Sequence, residues 1–317
     1  MITTDLNEAR IELISDGVVA IPTETVYGLA GNAYSVKALE KIFALKKRPL
    51  YNPLIVHIRS VDFLPAVARD IPEAARKLAN EFWPGPLTLV LKKQPHIPGL
   101  VTSGKDTVAV RVPNHPLALS LLEQLEFPLA APSANPFGSI SPTSALHVFN
   151  YFQNDLKVIL DGGECQKGIE STIIGFENDR PVVYRLGSLS LEQIQEKIGI
   201  VSSKTHSNDK LPIAPGMLSR HYAPSTDTRL TDNVEMLIQS YPDKKIGLLL
   251  FQNQIDQIPA GRQEILSRSG DLREAARNLY AAMHRLDKLD LDIIIAEKLP
   301  DAGLGKTIND KLQRASQ

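Results

Sequence analysis

The chain has 317 residues, 43% of them hydrophobic and 22% charged, which predicts one large or two ordinary globular domains with ample core. A formal net charge of -1 argues against a surface that binds nucleic acid as a whole, although a local basic groove would still fit. The single cysteine, Cys165, excludes an internal disulfide and a cysteine-based zinc cluster, and it fits a reducing, cytoplasmic setting. The N-terminus lacks a secretory pattern and no apolar run could cross a bilayer, so no membrane partner is expected.

The first 200 residues alternate between helical and strand-like patterns. Apolar residues at helical spacing predict helices over residues 5–15, 35–45, 72–82, 115–125 and 190–199. The segment 139–143 is expected to cap a further helix to about residue 150, which offers a purely structural explanation for Ser141. Apolar runs predict buried strands at residues 18–21, 54–58, 87–91, 107–113, 128–132, 158–160, 170–174 and 182–187. These elements predict an α/β domain.

The composition changes beyond residue 200. Residues 202–211 are polar and predict a linker, whereas residues 214–224 combine Met, His and Tyr with rigid prolines and are too specific for a spacer. From residue 226 on, the chain predicts a βαβ unit and hence a small parallel sheet, with strands at 245–250 and 291–296 around a helix at 271–286. The glycine-rich segment 303–307 is interpreted as a turn before a last helix at 308–315. A phosphate-binding loop would need glycine where Pro300 stands.

A basic stretch, residues 46–53, joins the second predicted helix to a strand. Its cations can be explained as a solvated helix C-terminus, where positive charge suits the helix dipole. They can also be explained as an anion site, in which Lys46 and Arg48 hold a polyphosphate and Asn52 fixes its position. The stretch alone does not separate the two explanations.

Other polar side chains stand at the ends of predicted strands, where open α/β sheets bind ligands. The segment 22–29 puts two threonines, a glutamate and a tyrosine behind the first buried strand. Arg111 lies within an apolar strand, so it either meets an internal carboxylate or faces a cleft that receives one. His57 lies alone in an apolar strand, where a histidine is more often a structural residue than a ligand. Cys165 has no neighbouring histidine, which argues against a catalytic thiol.

Several of these segments together resemble the YrdC-like threonylcarbamoyl-AMP synthases. The segments that carry the resemblance are 22–29, 46–49, 83–86, 111–113, 131–135 and 170–173. The later segments 215–217 and 221–224, followed by the βαβ unit, resemble the two-domain form of that family. The resemblance implies a YrdC-like twisted sheet with flanking helices at residues 1–200, a linker at 201–225 that forms a lid over the active site, and a small Rossmann-like βαβ domain at 226–317.

The activity implied by the resemblance is the joining of L-threonine, bicarbonate and ATP into threonylcarbamoyl-AMP and pyrophosphate, with Mg²⁺ accompanying ATP. A downstream complex then transfers the threonylcarbamoyl group to tRNA, and the resemblance is compatible with weak RNA binding by this chain itself. Such chemistry needs positioning rather than a protein nucleophile. The chain agrees with this, since it contains neither Gly-x-Ser-x-Gly nor His-Glu-x-x-His.

The resemblance also implies roles for individual residues. The residues expected to act in the reaction itself are Lys46, Arg48 and Asn135. Those expected to bind L-threonine are Thr25, His57, Arg111, Ala131 and Ser171. Those expected to bind ATP are Arg48, Asn52, Thr107, Ser133, Ser141, Arg185 and His221. No protein ligand for a metal is assigned, and Lys47 is expected to point to solvent.

Two other functions compete with this interpretation. The first is an RNA-binding module with a basic concave face, against which the net charge and the lack of stacked exposed aromatic residues weigh. The second is a carbamoyl transferase, because a related domain occurs in the hydrogenase-maturation carbamoyltransferases. Those proteins carry zinc-finger segments that a chain with one cysteine lacks.

Overall fold

The larger sheet of the molecule is mixed and twisted. The computed structural model describes residues 1–205, 214–217 and 221–317. Within these residues the sheet has twelve strands: β1 (Ile2–Thr3), β2 (Val19–Ile21), β3 (Gly28–Asn32), β4 (Ile55–His57), β5 (Ala68–Arg69), β6 (Leu87–Lys93), β7 (Thr107–Arg111), β8 (Leu129–Ala130), β9 (Val158–Leu160), β10 (Thr172–Glu177), β11 (Arg180–Arg185) and β12 (Ser202–Ser203). They pair in the order β1-β9-β2-β3-β8-β4-β7-β6-β10-β11-β12, with β5 beside β6.

α-Helices flank this sheet, and among the described residues all except the short one at Gly99–Thr102 lie where the sequence predicted helices. They are α1 (Leu6–Ile14), α2 (Val36–Lys46), α3 (Glu73–Phe82), α4 (Gly99–Thr102), α5 (Pro116–Glu123), α6 (Ala145–Phe152) and α7 (Leu191–Ile198). The capping box of α7 forms between Ser190 and Gln193. The predicted cap of α6 was wrong: Ser144, not the segment 139–143, accepts the hydrogen bond from the His147 backbone. Ser141 is therefore not explained by helix capping.

Alternation along β7 sorts its side chains between the two faces of the sheet. Val108 and Val110 pack into the main hydrophobic core, together with Val112 just beyond the strand. Ala109 belongs to a smaller cluster on the opposite face, and Arg111, four residues from the start of the strand, lies on that face as well. The alternation is visible in the sequence itself, which has valine at every second position from Val108 to Val112.

The C-terminal unit contains a four-stranded, all-parallel sheet in the order β13-β16-β14-β15. Its elements are β13 (Thr228–Thr231), α8 (Val234–Gln239), β14 (Ile246–Leu250), β15 (Gln263–Ile265), α9 (Leu272–Leu286), β16 (Ile293–Glu297) and α10 (Leu304–Ala315). The predicted βαβ arrangement is confirmed, but the sequence missed β13 and β15. It was also wrong about the segment 303–307, since α10 begins at Leu304.

The polar stretch after residue 200 differs from the prediction at its start. Ser202 and Ser203 form β12, which pairs in parallel with β11 and so extends the large sheet. The rest of the predicted linker falls partly on residues 206–213 and 218–220, which lie outside the described residues. None of the helices in the described ranges is long and apolar enough to cross a membrane.

The two units share a hydrophobic core. Val26, Ile140 and Ile169 of the first unit cluster with residues of α9, α10 and the smaller sheet. Gly168 adopts φ +69° against α9, and a Cβ there would come within 2.2 Å of the Arg277 carbonyl oxygen, so this approach requires glycine. The imidazole of His284 in α9 stacks on His147 in α6 with ring centroids 4.0 Å apart. The C-terminal unit is thus packed directly on the first.

The buried histidine of this interface makes stability depend on pH. Burial lowers the pKa of His284 to about 4 from an ordinary value of 6.5. The folded state therefore binds fewer protons than the unfolded state between these values. The stability that the neutral His284 contributes is fully present above pH 6.5, and it is lost as the pH falls towards 4.

We therefore expect the free energy of unfolding of the wild type to fall more steeply below pH 6.5 than that of His284→Gln. The difference should reach about 2–3 kcal/mol near the folded pKa. Urea unfolding at neutral and mildly acidic pH measures it. His96→Gln, at an exposed histidine, is the matched control and should follow the wild type. Parallel curves for His284→Gln and wild type would contradict the expectation.

Candidate active site

A cleft opens where several strands of the large sheet end. The residues that line it come from the segment before β3, the segment after α2, the strand β4, the ends of β7 and β11, the loop after β8, the approach to β10, and residues 215–216 and 221–222: Thr23, Thr25, Val26, Gly28, Arg48, Ile55, His57, Arg111, Ala131, Pro132, Ser133, Glu170, Ser171, Arg185, Pro215, Gly216, His221 and Tyr222.

Strand register explains why residues distant in sequence meet here. His57 at the end of β4 pairs directly with Arg111 at the end of β7. A bridge joins Gly28 to Ser133, and a Cβ on Gly28 would lie 3.2 Å from that of Ala131, so the two loops approach closely. The sheet thereby brings together nine of the predicted site residues: Thr25, Arg48, His57, Arg111, Ala131, Ser133, Ser171, Arg185 and His221.

The segment between β2 and β3 is held by a buried threonine. The hydroxyl of Thr23 donates to Val26 O at 2.6 Å and accepts from the backbone N–H groups of Thr25 and Val26. It also shares a hydrogen bond of 2.8 Å with the hydroxyl of Thr25. This local turn fixes Thr25 at the wall of the cleft.

The sequence left two possibilities for Arg111, an internal carboxylate partner or a place in a cleft, and the structure shows both. Its Nη2 lies 2.7 Å from Glu24 Oε1, and both side chains are at least 96% buried. Nη1 donates to the hydroxyl of Thr25 at 2.9 Å and Nε to Gly85 O at 3.2 Å. A guanidinium has five N–H donors, so donors remain for a ligand in the cleft. The structure thus gives Arg111 an internal carboxylate and a place in the cleft.

His57 stands beside Arg111 as a neutral imidazole. Burial, and then the charge of Arg111, lower its pKa to about 3. At neutral pH the ring can therefore donate or accept a hydrogen bond, but it is too weak a base to remove protons efficiently. It suits recognition of a polar substrate better than general-base catalysis.

Lys46 ends α2 and is buried, whereas its neighbour Lys47 is exposed in a left-handed conformation. Lys46 Nζ donates to Ser133 O at 2.6 Å and to Asn135 O, so it supports the loop after β8. Burial, and then the charge of Arg48, hold the pKa of Lys46 well below its usual range. In the protonated form of Lys46, two of the three ammonium donors are occupied and one is left over.

Arg48 and Arg185 form a cation pair in the cleft wall at the end away from Arg111, because β6 and β10 stand between β7 and β11, the strand that ends in Arg185. Arg48 donates to Asn52 O and Pro53 O, at 3.0 and 2.8 Å. Arg185 donates to Ser171 O at 3.1 and 2.9 Å and to its hydroxyl at 3.0 Å. Burial, and then the charge of Arg185, lower the pKa of Arg48 to about 9. Within the described residues neither guanidinium forms an ion pair with a carboxylate, so this end of the cleft favours an anion.

Gly216 makes the close packing around Arg185 possible. It has φ +81°, and a Cβ there would lie 2.7 Å from Tyr222 Oη and 2.8 Å from Arg185 Cδ. Both conditions require glycine. The segment that the sequence predicted as a lid therefore contributes Pro215, Gly216, His221 and Tyr222 to the wall of the cleft.

Five predicted site residues do not line the cleft: Lys46, Asn52, Thr107, Ser141 and Asn135. Lys46, Asn52 and Asn135 are buried behind its wall, next to Arg48 and the loop after β8. Ser141 donates to Glu170 Oε1 at 2.6 Å, so it reaches the cleft through Glu170. Thr107 begins β7, about 13 Å along the strand from Arg111. Their roles stay predictions.

Two lining residues carry chemistry beyond that of the residues expected to bind threonine or ATP; of these, Tyr222 was considered only as an alternative to His221 for reaching the site. Glu170 is the only carboxylate in the wall of the cleft among the described residues, and Tyr222 contributes a phenol. Glu170 precedes the predicted Ser171, and Tyr222 follows the predicted His221. Adjacency to those residues was the available signal, but which way each side chain points depends on tertiary packing.

Buried polar atoms without a hydrogen-bond partner concentrate around the cleft. Among the described residues they include both amide atoms of Asn52, Oδ1 of Asn135, Nδ1 of His57 and of His221, and Oη of Tyr222. An unpaired buried polar group costs about 1–3 kcal/mol, so such a cluster is expected where a polar ligand completes the site. No three His, Cys, Asp or Glu side chains form a metal-binding group within the ranges that the structure describes.

The fold and the cleft define an α/β protein with an anion site beside a site for a small polar substrate. Two family models match the chain: the Sua5, YciO and YrdC model, described as telomere recombination, over residues 12–187, and the threonylcarbamoyl-AMP synthase C-terminal domain over residues 189–317. The chain therefore belongs to the Sua5/YrdC family of threonylcarbamoyl-AMP synthases, in its two-domain form.

Individual relatives agree over nearly the full length. A threonylcarbamoyl-AMP synthase of Pyrococcus abyssi is 42% identical, over 94% of this chain and 90% of the relative. The protein of that name from Bacillus subtilis is 39% identical, over 98% and 92%. The crystal structure of P. abyssi Sua5 complexed with L-threonine superposes with a TM-score of 0.92 at 41% identity, covering 98% of this chain and 94% of the other. These matches confirm the fold predicted from the sequence.

Proposed function

We propose that the chain is an L-threonylcarbamoyladenylate synthase, which makes threonylcarbamoyl-AMP and pyrophosphate from L-threonine, bicarbonate and ATP. The observation that carries this proposal is the separation of two groups within one cleft, since two strands, β6 and β10, stand between Arg111 and Arg185. Arg111, His57 and Thr25 form an end suited to an amino acid, and the cations Arg48 and Arg185 form an end suited to a polyphosphate. Relatives that bear this activity in their names match nearly the whole chain.

The amino-acid end can recognise each polar group of threonine. The free donors of Arg111 suit the carboxylate, because guanidinium and carboxylate match in geometry. Neutral His57, with an unpartnered Nδ1, suits the amine or the hydroxyl. The hydroxyl of Thr25, already held by Arg111 and Thr23, adds a third polar contact. Ala131 closes the wall at a position where a larger side chain would enter the site.

The reaction then proceeds in two balanced steps. The threonine amine attacks bicarbonate, or CO₂ derived from it, to form an N–C bond, and water or a proton is released. A carbamate oxygen next attacks the α-phosphorus of ATP, and the bond from that phosphorus to the pyrophosphate oxygen breaks. No protein nucleophile takes part, so the enzyme acts by orientation and charge stabilisation.

The polyphosphate end stabilises the departing pyrophosphate. Arg48 and Arg185 supply charge in a buried setting, where it acts more strongly than in water. Ser133 and the loop after β8, supported by Lys46, would contact the phosphates. His221 would lie over the nucleotide, and Pro215, Gly216 and Tyr222 would help to shelter the unstable carbamate from water.

We also propose that Mg²⁺ accompanies ATP here. Magnesium is commonly held by one or two carboxylates plus substrate phosphates. Glu170 offers one carboxylate to the cleft, which fits that requirement. When bound, the ion would neutralise charge on the phosphates. The chain would then pass its product, in the cytoplasm, to a complex that modifies tRNA; direct RNA binding would be at most weak, given the net charge of -1.

Release of pyrophosphate from ATP tests the proposal. We expect release by the full chain to require both L-threonine and bicarbonate, and threonylcarbamoyl-AMP to appear in equal amount by mass spectrometry. L-Serine, which lacks the methyl group, is the matched control substrate and should be used less efficiently. Release that continues without threonine would overturn the proposal. Salt-sensitive RNA binding without any release would favour the RNA-binding function instead.

A further inference from the structure

Glu170 is held by one hydroxyl from each unit of the molecule. Ser141 of the first unit donates to its Oε1 at 2.6 Å. Tyr280, in α9 of the C-terminal unit, donates to its Oε2 at 2.7 Å. Both donors are fully buried, and Glu170 is 95% buried while still lining the cleft. Each carboxylate oxygen is thus fixed by a short hydrogen bond.

Tyr280 is itself held in place from several sides. Its ring stacks against that of Tyr222, a residue of the cleft wall, with centroids 5.7 Å apart and planes at 30°. Lys311 of α10 lies over the ring of Tyr222, with Nζ 4.9 Å from the ring centroid. It also donates to Leu186 O, beside Arg185. The C-terminal unit therefore reaches the polyphosphate end of the cleft through a continuous set of contacts.

We propose that Tyr280 is a positioning residue that fixes the Glu170 carboxylate for binding of the nucleotide, so that the C-terminal unit completes this end of the active site. The inference rests on the function proposed above. A carboxylate among cations repels phosphate oxygens unless its position directs it to a ribose hydroxyl or to the metal ion of the nucleotide. Both donors that fix it are therefore needed.

The chemistry of Tyr280 suits a permanent donor. Burial, and then the charge of Glu170, raise the pKa of Tyr280 well above its usual value. The phenol thus keeps its proton throughout the working pH range. Glu170 belongs to the nucleotide end because Arg185 donates three hydrogen bonds to the next residue, Ser171, and Ser188 N–H donates to Glu170 O at 2.9 Å. The amino-acid end is organised around Arg111 and Glu24.

The test replaces only the hydroxyl. We expect Tyr280→Phe to raise the KM for ATP about tenfold, the loss expected for a hydrogen bond to a charged group. The dissociation constant for L-threonine, measured by calorimetry without ATP, should stay within about twofold of the wild-type value, because the amino-acid end of the cleft does not contact Glu170.

Tyr151→Phe is the matched control. It removes another tyrosine hydroxyl at the domain interface, one that donates to Ile140 O at 3.0 Å. Its KM for ATP should equal that of the wild type.

A double-mutant cycle separates positioning from general damage. In a Glu170→Gln background, which keeps the shape but not the charge, Tyr280→Phe should raise the KM for ATP less than about threefold. Full additivity of the two changes would overturn the inference. An equal effect of Tyr280→Phe on threonine and ATP, or thermal unfolding much earlier than in Tyr151→Phe, would overturn it as well.

If the proposed function itself were wrong, the results would differ from those expected if only the role of Tyr280 were wrong. In that case the wild type itself would release no pyrophosphate in response to threonine, and no KM could be compared. Calorimetric titration of wild type and Tyr280→Phe with ATP and Mg²⁺ would still measure the nucleotide site. Equal ATP affinities of the two proteins would then refute the role of Tyr280.

Discussion

Arg111→Met should raise the threonine concentration needed for half-maximal pyrophosphate release about a hundredfold or more. The change removes the donors that suit the threonine carboxylate and keeps most of the apolar stem. It also leaves Glu24, which is 98% buried, without its ion-pair partner, since Arg111 lies 2.7 Å from the Glu24 carboxylate. Breaking a buried pair on one side costs about 3–5 kcal/mol, so the free energy of unfolding should fall too. Threonine titration and urea unfolding measure the two effects.

A second variant separates binding from folding. The double variant Arg111→Met, Glu24→Gln no longer contains the unpaired carboxylate of Glu24. Most of the lost free energy of unfolding should therefore return. The requirement for threonine should remain as high as in the single variant, because the guanidinium is still missing. If the double variant regained threonine affinity, Arg111 would only be supporting the fold. The KM for ATP should change little in both, since Arg111 lies at the amino-acid end.

Lys46→Met should lower kcat about a hundredfold, an effect comparable to the loss of one preorganised charged donor. The ammonium supports Ser133 and Asn135 through their carbonyl oxygens and keeps one donor for a phosphate. Without it two buried carbonyls lose their donor, so the free energy of unfolding should drop by about 2–4 kcal/mol. Steady-state kinetics with saturating threonine and ATP, together with urea unfolding, check both values.

The neighbouring lysine provides the control for this change. Lys47 carries the same charge one residue away but is exposed, so Lys47→Met should leave kcat and the free energy of unfolding nearly unchanged. Equal losses in the two variants would mean that net charge, not the position of Lys46, matters. A loss of stability in Lys46→Met without any loss of kcat would limit Lys46 to supporting the loop after β8.

Much of the fold could be predicted because local patterns agree with the global structure. Alternation along β7, helical periodicity in α2 and the capping box of α7 are properties of neighbouring residues, and the structure has each of them. The strands that were missed are short or atypical. β3 carries two glycines and an asparagine in five residues, and β15 is only half-buried, so neither shows strand periodicity.

The candidate site divides in the same way. By itself, the sequence determined which residue types stand at strand ends: a buried arginine in β7, cations after α2, and small polar residues after β8. Only the tertiary structure decided their partners, because those depend on strand register and on how the two units pack. It paired Arg111 with Glu24 and buried Lys46 under two carbonyls. It also brought Tyr280, 110 residues away along the chain, to the carboxylate of Glu170.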